Sequence, residues 1–281
     1  MLSDAISSES FKLWRNRSAL FWGFAFTPVV ALVMGVGSVF MLRMTAGDAV
    51  AGQPADIGRQ ALLAAAQASA PLTILFALLG ASILFAADYR WETWRLIAPR
   101  NSRLNHILGK ALVYALASLG TVLLITLMGV ITALVGAFVN ASPVEWTSGE
   151  PGTWTIVFVS LLLTSWLQLL QAGALVALVA VVTRSMMAAV MVPLFIGIVQ
   201  AIVQAQTPGP VQMDPEWWRM LALPGLAVDL VKAHVGGRIL MGQQMITPAA
   251  AGMALGMLLV WIFGALAAAW AIFQRQDLSE E

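Results

Sequence analysis

Residues 85–112 read FAADYRWETWRLIAPRNSRLNHILGKAL, with long apolar runs on both sides. Seven charged side chains (Asp88, Arg90, Glu92, Arg95, Arg100, Arg103 and Lys110) crowd this stretch, in a chain that is only 10% charged. Soluble domains carry about 25% charged and about 45–50% apolar residues. Here 60% of the 281 residues are hydrophobic and the mean hydropathy is +0.85. So few charges cannot cover a globular surface, and lipid must be the main solvent. A charged segment between two apolar runs is then a loop at one membrane face.

Working outward, a helix needs about 20 apolar residues to cross about 30 Å of hydrocarbon. Six stretches meet or approach that length: residues 19–42, 60–87 (its membrane part starting near Ala70-Pro71), 111–139, 156–183, 185–206 and 247–273. Helix is the state that satisfies backbone groups in lipid, and a barrel would show short alternating segments instead. The expected fold is an all-α integral membrane protein, one transmembrane domain over residues 1–281. Six spans put both termini on one side. If that side is the cytoplasm, its segments hold Lys12, Arg15, Arg17, Arg90, Arg95, Arg100, Arg103, Lys110, Arg184 and Arg275. The outer segments hold Arg43, Arg59, Arg219, Lys232 and Arg238. Cytoplasmic loops carry the excess of Lys and Arg, so the charged loop and both termini are expected inside.

Two segments depart from simple alternation. Residues 3–17 place Ile6, Phe11, Leu13 and Trp14 among charges of both signs, unlike a signal peptide. They read as an amphipathic helix in the inner interface, with Lys12, Arg15 and Arg17 toward headgroups, or as a plain charged anchor. Residues 207–246 are too long for a turn. Asp214-Pro215 can start a helix, Pro224-Gly225 breaks it, and a second run ends at Gly236-Gly237. Two short outer helices between spans 5 and 6 are expected.

Several chemistries are excluded. A net charge of +1 supplies no basic field for nucleic acid. The chain has no cysteine, hence no disulfide, thiol catalysis or thiolate metal site. It contains no HExxH, G-x-S-x-G or Walker A sequence. His106 and His234 fall on opposite sides of the membrane, so no metal site is expected. No Asp, Glu, Lys, Arg or His lies in the core of a span, which argues against a proton- or ion-coupled carrier. Asp229, Lys232 and His234 form either a small outer polar cluster or the solvated end of a short helix. The polar residues within spans are few. Gln168 and Gln171 share one helix face, as do Gln200 and Gln204. Each pair could line a substrate route, or could hydrogen-bond between helices.

In the charged loop, residues 88–97 can prolong the second span as a stalk, with Arg95 on the face of Glu92 and Trp91. Pro99 ends it. Asn101 or Ser102 can then cap a short helix through Leu104, Ile107 and Leu108 before Lys110 opens the third span. A stalk, a corner and a short helix suit docking to a cytosolic protein, although a solvated positive-inside loop fits the same residues.

This segment resembles the signature of ABC-2 permeases: an acid-Tyr pair, a Gly-Thr, a Leu-rich turn, Pro, a Ser-Arg pair and a Gly-Lys. Asp88-Tyr89, Thr93, Pro99, Ser102-Arg103 and Gly109-Lys110 stand in those places. Asp88 replaces the usual Glu, and Glu92 the usual Gly. The amphipathic start, six spans, outer helices before the sixth and the closing FQRQDL also resemble that family, so the likeness runs nearly the whole chain. It implies the membrane half of an ATP-driven exporter in a bacterial inner membrane. Two permeases, the same chain or a homologue, would pair with two cytosolic ATPase subunits that bind ATP and Mg. This chain itself would be no enzyme and would carry no cofactor. Asp88, Glu92 and Arg95 would belong to a stalk transmitting ATPase movement. Pro99, Arg100, Asn101, Ser102, Arg103 and His106 would make the docking contact as a coupling helix, with Arg100 and Arg103 its charged contacts and Lys110 held by headgroups. The cargo suited to uncharged apolar walls is a drug, an antimicrobial peptide or a lipid-like molecule. The alternative is a non-transporting subunit that passes ATPase motion to an outer partner.

Overall fold

A computed structural model describes residues 2–90, 102–146, 150–206, 216–237 and 246–276. Six of its helices are long and apolar enough to cross a membrane. They are α2 (Arg17–Ala46), α4 (Pro71–Arg90), α5 (Arg103–Val139), α6 (Pro151–Thr183), α7 (Met186–Gln206) and α10 (Pro248–Arg275). Four shorter helices accompany them: α1 (Leu2–Arg15), α3 (Ile57–Gln67), α8 (Trp217–Ala222) and α9 (Pro224–Gly236). The all-α, six-span expectation is met, and the second span starts at Pro71 as the sequence suggests. One small addition is a pair of two-residue parallel strands, β1 (Ala55–Asp56) and β2 (Val144–Glu145), joining the segments after spans one and three.

The bundle has two distinct ends. Asn16 separates α1 from α2, its side-chain oxygen accepting from the Ala19 amide as an N-cap. At the same end α4 finishes, α5 begins, α6 turns into α7, and α10 finishes. Arg184 makes the α6–α7 turn in the left-handed conformation at φ 54°, with Ser185 the remaining residue of the link. At the opposite end, α3 is capped by Asp56 at its start. It packs Ala61, Leu62 and Ala65 into the protein. Helices α8 and α9 bury Met220, Leu226, Val228 and Leu230 against the first turns of α10.

Close backbone approach sets the α2–α4 crossing. A Cβ on Gly23 would lie 2.6 Å from the Cα of Gly80, so only hydrogen fits. Gly23 sits in a single π turn, Phe21–Ala25. Such a turn disturbs the regular i→i−4 ladder, and in lipid each displaced carbonyl needs another donor. The Thr121 hydroxyl of α5 donates to the Phe24 carbonyl at 2.9 Å.

The third span differs from its expected start. No separate helix lies between Ser102 and Lys110: Ser102 is the N-cap of α5, accepting from the Asn105 amide, and the helix runs unbroken for 37 residues. At about 1.5 Å per residue it is about 55 Å long, well beyond the hydrocarbon thickness. Nothing after Ser102 breaks the helical pattern, so the cap feeds the span directly.

Placing a methyl group on Gly23 should therefore force α2 from α4. Gly23→Ala is expected to destabilise the chain by about 1–3 kcal/mol, an overpacking cost. Gly256→Ala, where an added Cβ meets open space, should have little effect. Tryptophan-monitored unfolding in detergent distinguishes the two, and equal midpoints would refute the crossing.

Candidate functional site: a buried ion cluster and an opposite cavity

Helix α1 turns Ala5, Glu9 and Leu13 inward, a stripe at i, i+4 and i+8 with an acid at its centre. Ala5 rests on Gly109 of α5, where an added Cβ would come within 2.9 Å of the Ala5 Cβ. That approach brings Glu9 to Lys110. The Lys110 ammonium, 2% exposed as a residue, donates to Glu9 Oε2 at 3.1 Å and to the Leu84 carbonyl at 2.6 Å. It also pairs with Asp88 Oδ2 at 2.5 Å, a contact set by charge rather than by hydrogen-bond alignment. Lys12 closes the ring, meeting Glu9 Oε1 at 2.7 Å and Asp88 Oδ1 at 3.4 Å. Two cations and two anions, drawn from three helices, neutralise one another. An isolated ion at such a site would cost several kcal/mol, so the set holds together only complete.

Beside the cluster, Arg103 faces inward along the protein. Its guanidinium donates to the carbonyls of Phe273, Gln274 and Gln276 and lies 5.5 Å from the Phe273 ring centre. It thereby caps α10, a favourable position for a cation at a helix C-terminus. The Tyr89 hydroxyl donates to Gln276 Oε1, and the Gln276 amide donates to the Val181 carbonyl, so α4, α6 and α10 are latched together. His106 is buried in the second turn of α5.

The expected coupling residues thus divide. Asp88 is in the ion cluster, Ser102 is a cap, Arg103 is committed to α10, and His106 is buried. Arg103 bonds the end of α10 through one guanidinium nitrogen, and Lys110 is held by carboxylates rather than headgroups. Glu92, Arg95, Pro99, Arg100 and Asn101 lie outside the described residues.

At the opposite end, Gln168, Gln171, Gln200 and Gln204 line a single cavity of about 510 Å³. Helices α4, α6, α7 and α9 form it, with the residues following α3. Its deeper wall includes Ile74, Leu78, Leu175 and Leu194, and its polar rim includes Asp229 and Lys232. Three glutamines also bond between elements. Gln168 accepts from the Ser69 hydroxyl, the Gln200 amide donates to the Ala222 carbonyl, and the Gln204 amide donates to Asp229 Oδ2 at 2.7 Å. Lining a cavity and bonding between elements are therefore compatible at Gln168, Gln200 and Gln204.

Asp229 and Lys232 are more than a solvated helix end. Lys232 donates to the Ala66 carbonyl in the last turn of α3 and to the Ser69 hydroxyl, while Ser165 of α6 donates to Ala65 beside it. Partial burial lowers the Lys232 pKa from 10.5 to about 8, against the attraction of Asp229. Asp229 opens to the cavity mouth yet has protein around it. Desolvation raises its pKa, opposed by the Gln204 hydrogen bond and the Lys232 charge.

Loop charge and the glutamine pairs pointed toward these two regions; Glu9, Lys12, Lys110 and the Asp229–Lys232 rim were not singled out as site residues. The available signal for the first was an acid inside the α1 apolar stripe, which demands a cation opposite it.

These features define a six-span, all-α membrane protein with a ligand-sized cavity at one end and a buried ion cluster at the other. Residues 20–279 match DUF2705, described as a protein of unknown function, and the chain belongs to that family. A comparison with curated proteins finds no match.

Removing Lys110 should strand two buried carboxylates with one cation. Lys110→Met is expected to cost about 3–5 kcal/mol, the range for breaking a buried pair from one side. Lys12→Met, at a side chain 41% exposed, should cost clearly less. Denaturant titration in detergent measures both, and equal losses would contradict the burial assigned to Lys110.

The lowered pKa of Lys232 has a definite sign. Between about 8 and 10.5 the unfolded lysine holds a proton that the folded one has lost, so stability contributed by this group rises with pH across that window. The difference in melting temperature between the native chain and Lys232→Gln should change in the native chain's favour from the lower to the upper limit. Parallel pH curves would contradict it.

Proposed function

We propose that this chain is the permease subunit of an ATP-driven ABC-2 exporter, moving an amphipathic or hydrophobic substrate. Two copies, or one copy and a homologue, pair with two cytosolic ATPase subunits, which hold the ATP and Mg. The observation that carries the reading is the placement of the ion cluster. Two of its four members, Asp88 and Lys110, bound the segment that resembles the ABC-2 signature, and Glu9 and Lys12 join α1 to them. A force applied to residues 91–101 enters through the end of α4 and the start of α5. The cluster makes those ends, together with α1, resist separation.

Helix α4 supplies the route onward. Asp88 sits in its last turn, while Ile74, Leu75 and Leu78 near its start line the cavity. Asp88 lies 10 residues beyond Leu78 and 14 beyond Ile74, about 15–21 Å along the helix. On this reading the cluster end and both termini face the cytoplasm, as the excess of Lys and Arg favours, and α1 lies in the lipid interface; the bacterial inner membrane is what the ABC-2 resemblance implies. Exposed Phe11 and Trp14 on α1 support that position. The cavity favours transport over the reading in which the subunit only passes motion outward. A pocket of this size is typical of small-molecule sites, and transmission alone requires none.

The tagged chain, isolated from its native membrane, should bring an ABC-type ATPase in equal amount, whereas the pure chain should neither bind nor hydrolyse ATP. Asp88→Asn should keep the ATPase bound while lowering transport about tenfold or more, since losing a charged hydrogen-bond partner costs about 1.5–3 kcal/mol. Hydrolysis by the pure chain, or isolation without any ABC-type ATPase, would overturn the proposal.

A further inference from the structure

The cavity mouth is chemically lopsided. Lys232 directs two N–H bonds to Ala66 and Ser69, and the Gln200 and Gln204 amide groups donate to Ala222 and Asp229. These donors are turned toward protein acceptors. Asp229, by contrast, is exposed at the mouth, and the Gln204 hydrogen bond reaches only its Oδ2 in the bonds described above. Lys232 is drawn back onto the C-terminal carbonyls of α3, where the helix dipole offsets part of its charge. Beyond the mouth the wall is mostly apolar, with Leu75, Leu78, Leu175 and Leu194 along it beside Gln168 and Gln171.

From this arrangement we infer that the cavity binds an amphipathic cation, its ammonium or guanidinium head at the Asp229 carboxylate and its hydrocarbon among Leu75, Leu78, Leu175 and Leu194. A cationic head brings N–H donors to a mouth where Lys232, Gln200 and Gln204 turn donors toward the protein. Charge-assisted bonds to a carboxylate are about twice as strong as neutral ones, and a partly water-excluded mouth preserves that advantage. An anionic head would meet Asp229 first, with the Lys232 donors already turned aside. An uncharged tail alone would fill the depth without answering the carboxylate. The inference deepens the transport reading and rests on it for the purpose of binding, but not for binding itself.

The test uses the full chain in phosphatidylcholine nanodiscs, without any ATPase, so its failure is separate from failure of ATPase association. Binding of radiolabelled dodecylammonium is measured above that of empty discs, with dodecyl sulfate and dodecanol as competitors of equal tail length. Saturable binding is expected, displaced weakly by dodecanol and not by dodecyl sulfate. Asp229→Asn should weaken it about tenfold or more, the effect of one charged hydrogen-bond partner. Asp229→Glu should retain it within about threefold, and Leu78→Trp should abolish it by filling the depth. If Asp229→Asn fails to assemble, the head-group competition on the native chain decides. Absence of saturable binding, equal competition by dodecyl sulfate, or unchanged affinity in a folded Asp229→Asn would overturn the inference.

Discussion

An ammonium group buried where water cannot reach it must have acids brought to it, and Lys110 imposes that condition on this protein. Its carboxylates come from elsewhere in the chain: Glu9 from an N-terminal helix and Asp88 from the end of the second span. Neither helix has freedom to settle elsewhere without leaving charge uncompensated. The backbone makes room in a consistent way, because Gly109 precedes Lys110 and lets α1 approach at Ala5. Lys12 then balances the second negative charge at the rim. Small residue, buried cation and inward acid form one device, and it positions everything at that end of the bundle.

The other end is built differently, from short helices whose ends are closed by side chains of their neighbours. Ser165 and Lys232 donate to the last carbonyls of α3, the Trp154 indole donates to Gly58, and the Trp261 indole donates to Leu221 in α8. In a low-dielectric setting each such bond removes a cost that water would otherwise bear. The result is a polar rim above an apolar cavity. The cavity wall and the cluster share α4, so the two ends of the protein are joined through a single helix.

The spans were legible in the sequence because length and hydropathy are dictated by the bilayer. The two short helices before the last span were legible too, through Pro224-Gly225 between them and the Gly236-Gly237 pair at the end. The start of α5 was not. Ser102 signals a helix start and nothing after it breaks the pattern, but that Lys110 is carried inside rather than left at the membrane face depends on Glu9, about 100 residues earlier, and on Asp88. The bonds from Arg103 to α10 were not legible either, since its carbonyl acceptors belong to the far end of the chain. The glutamine pairs were found by spacing within each helix, but their convergence on one cavity is a property of helix packing. Local pattern reveals faces; only assembly reveals what two faces enclose.

The two-residue link at Arg184-Ser185 has a geometric consequence for that cavity. Helices α6 and α7 leave it side by side, and both run to the far end, where Gln168 and Gln204 face the same space. A link this short fixes their separation at one end, as a rivet fixes the arms of a pair of dividers. Any change in the angle between them then grows in proportion to distance from the rivet. Gln204 lies about 20 residues beyond the link, about 30 Å, whereas Pro193 lies less than half as far. A few degrees of splay barely alters the floor of the cavity and moves its mouth by more than an ångström.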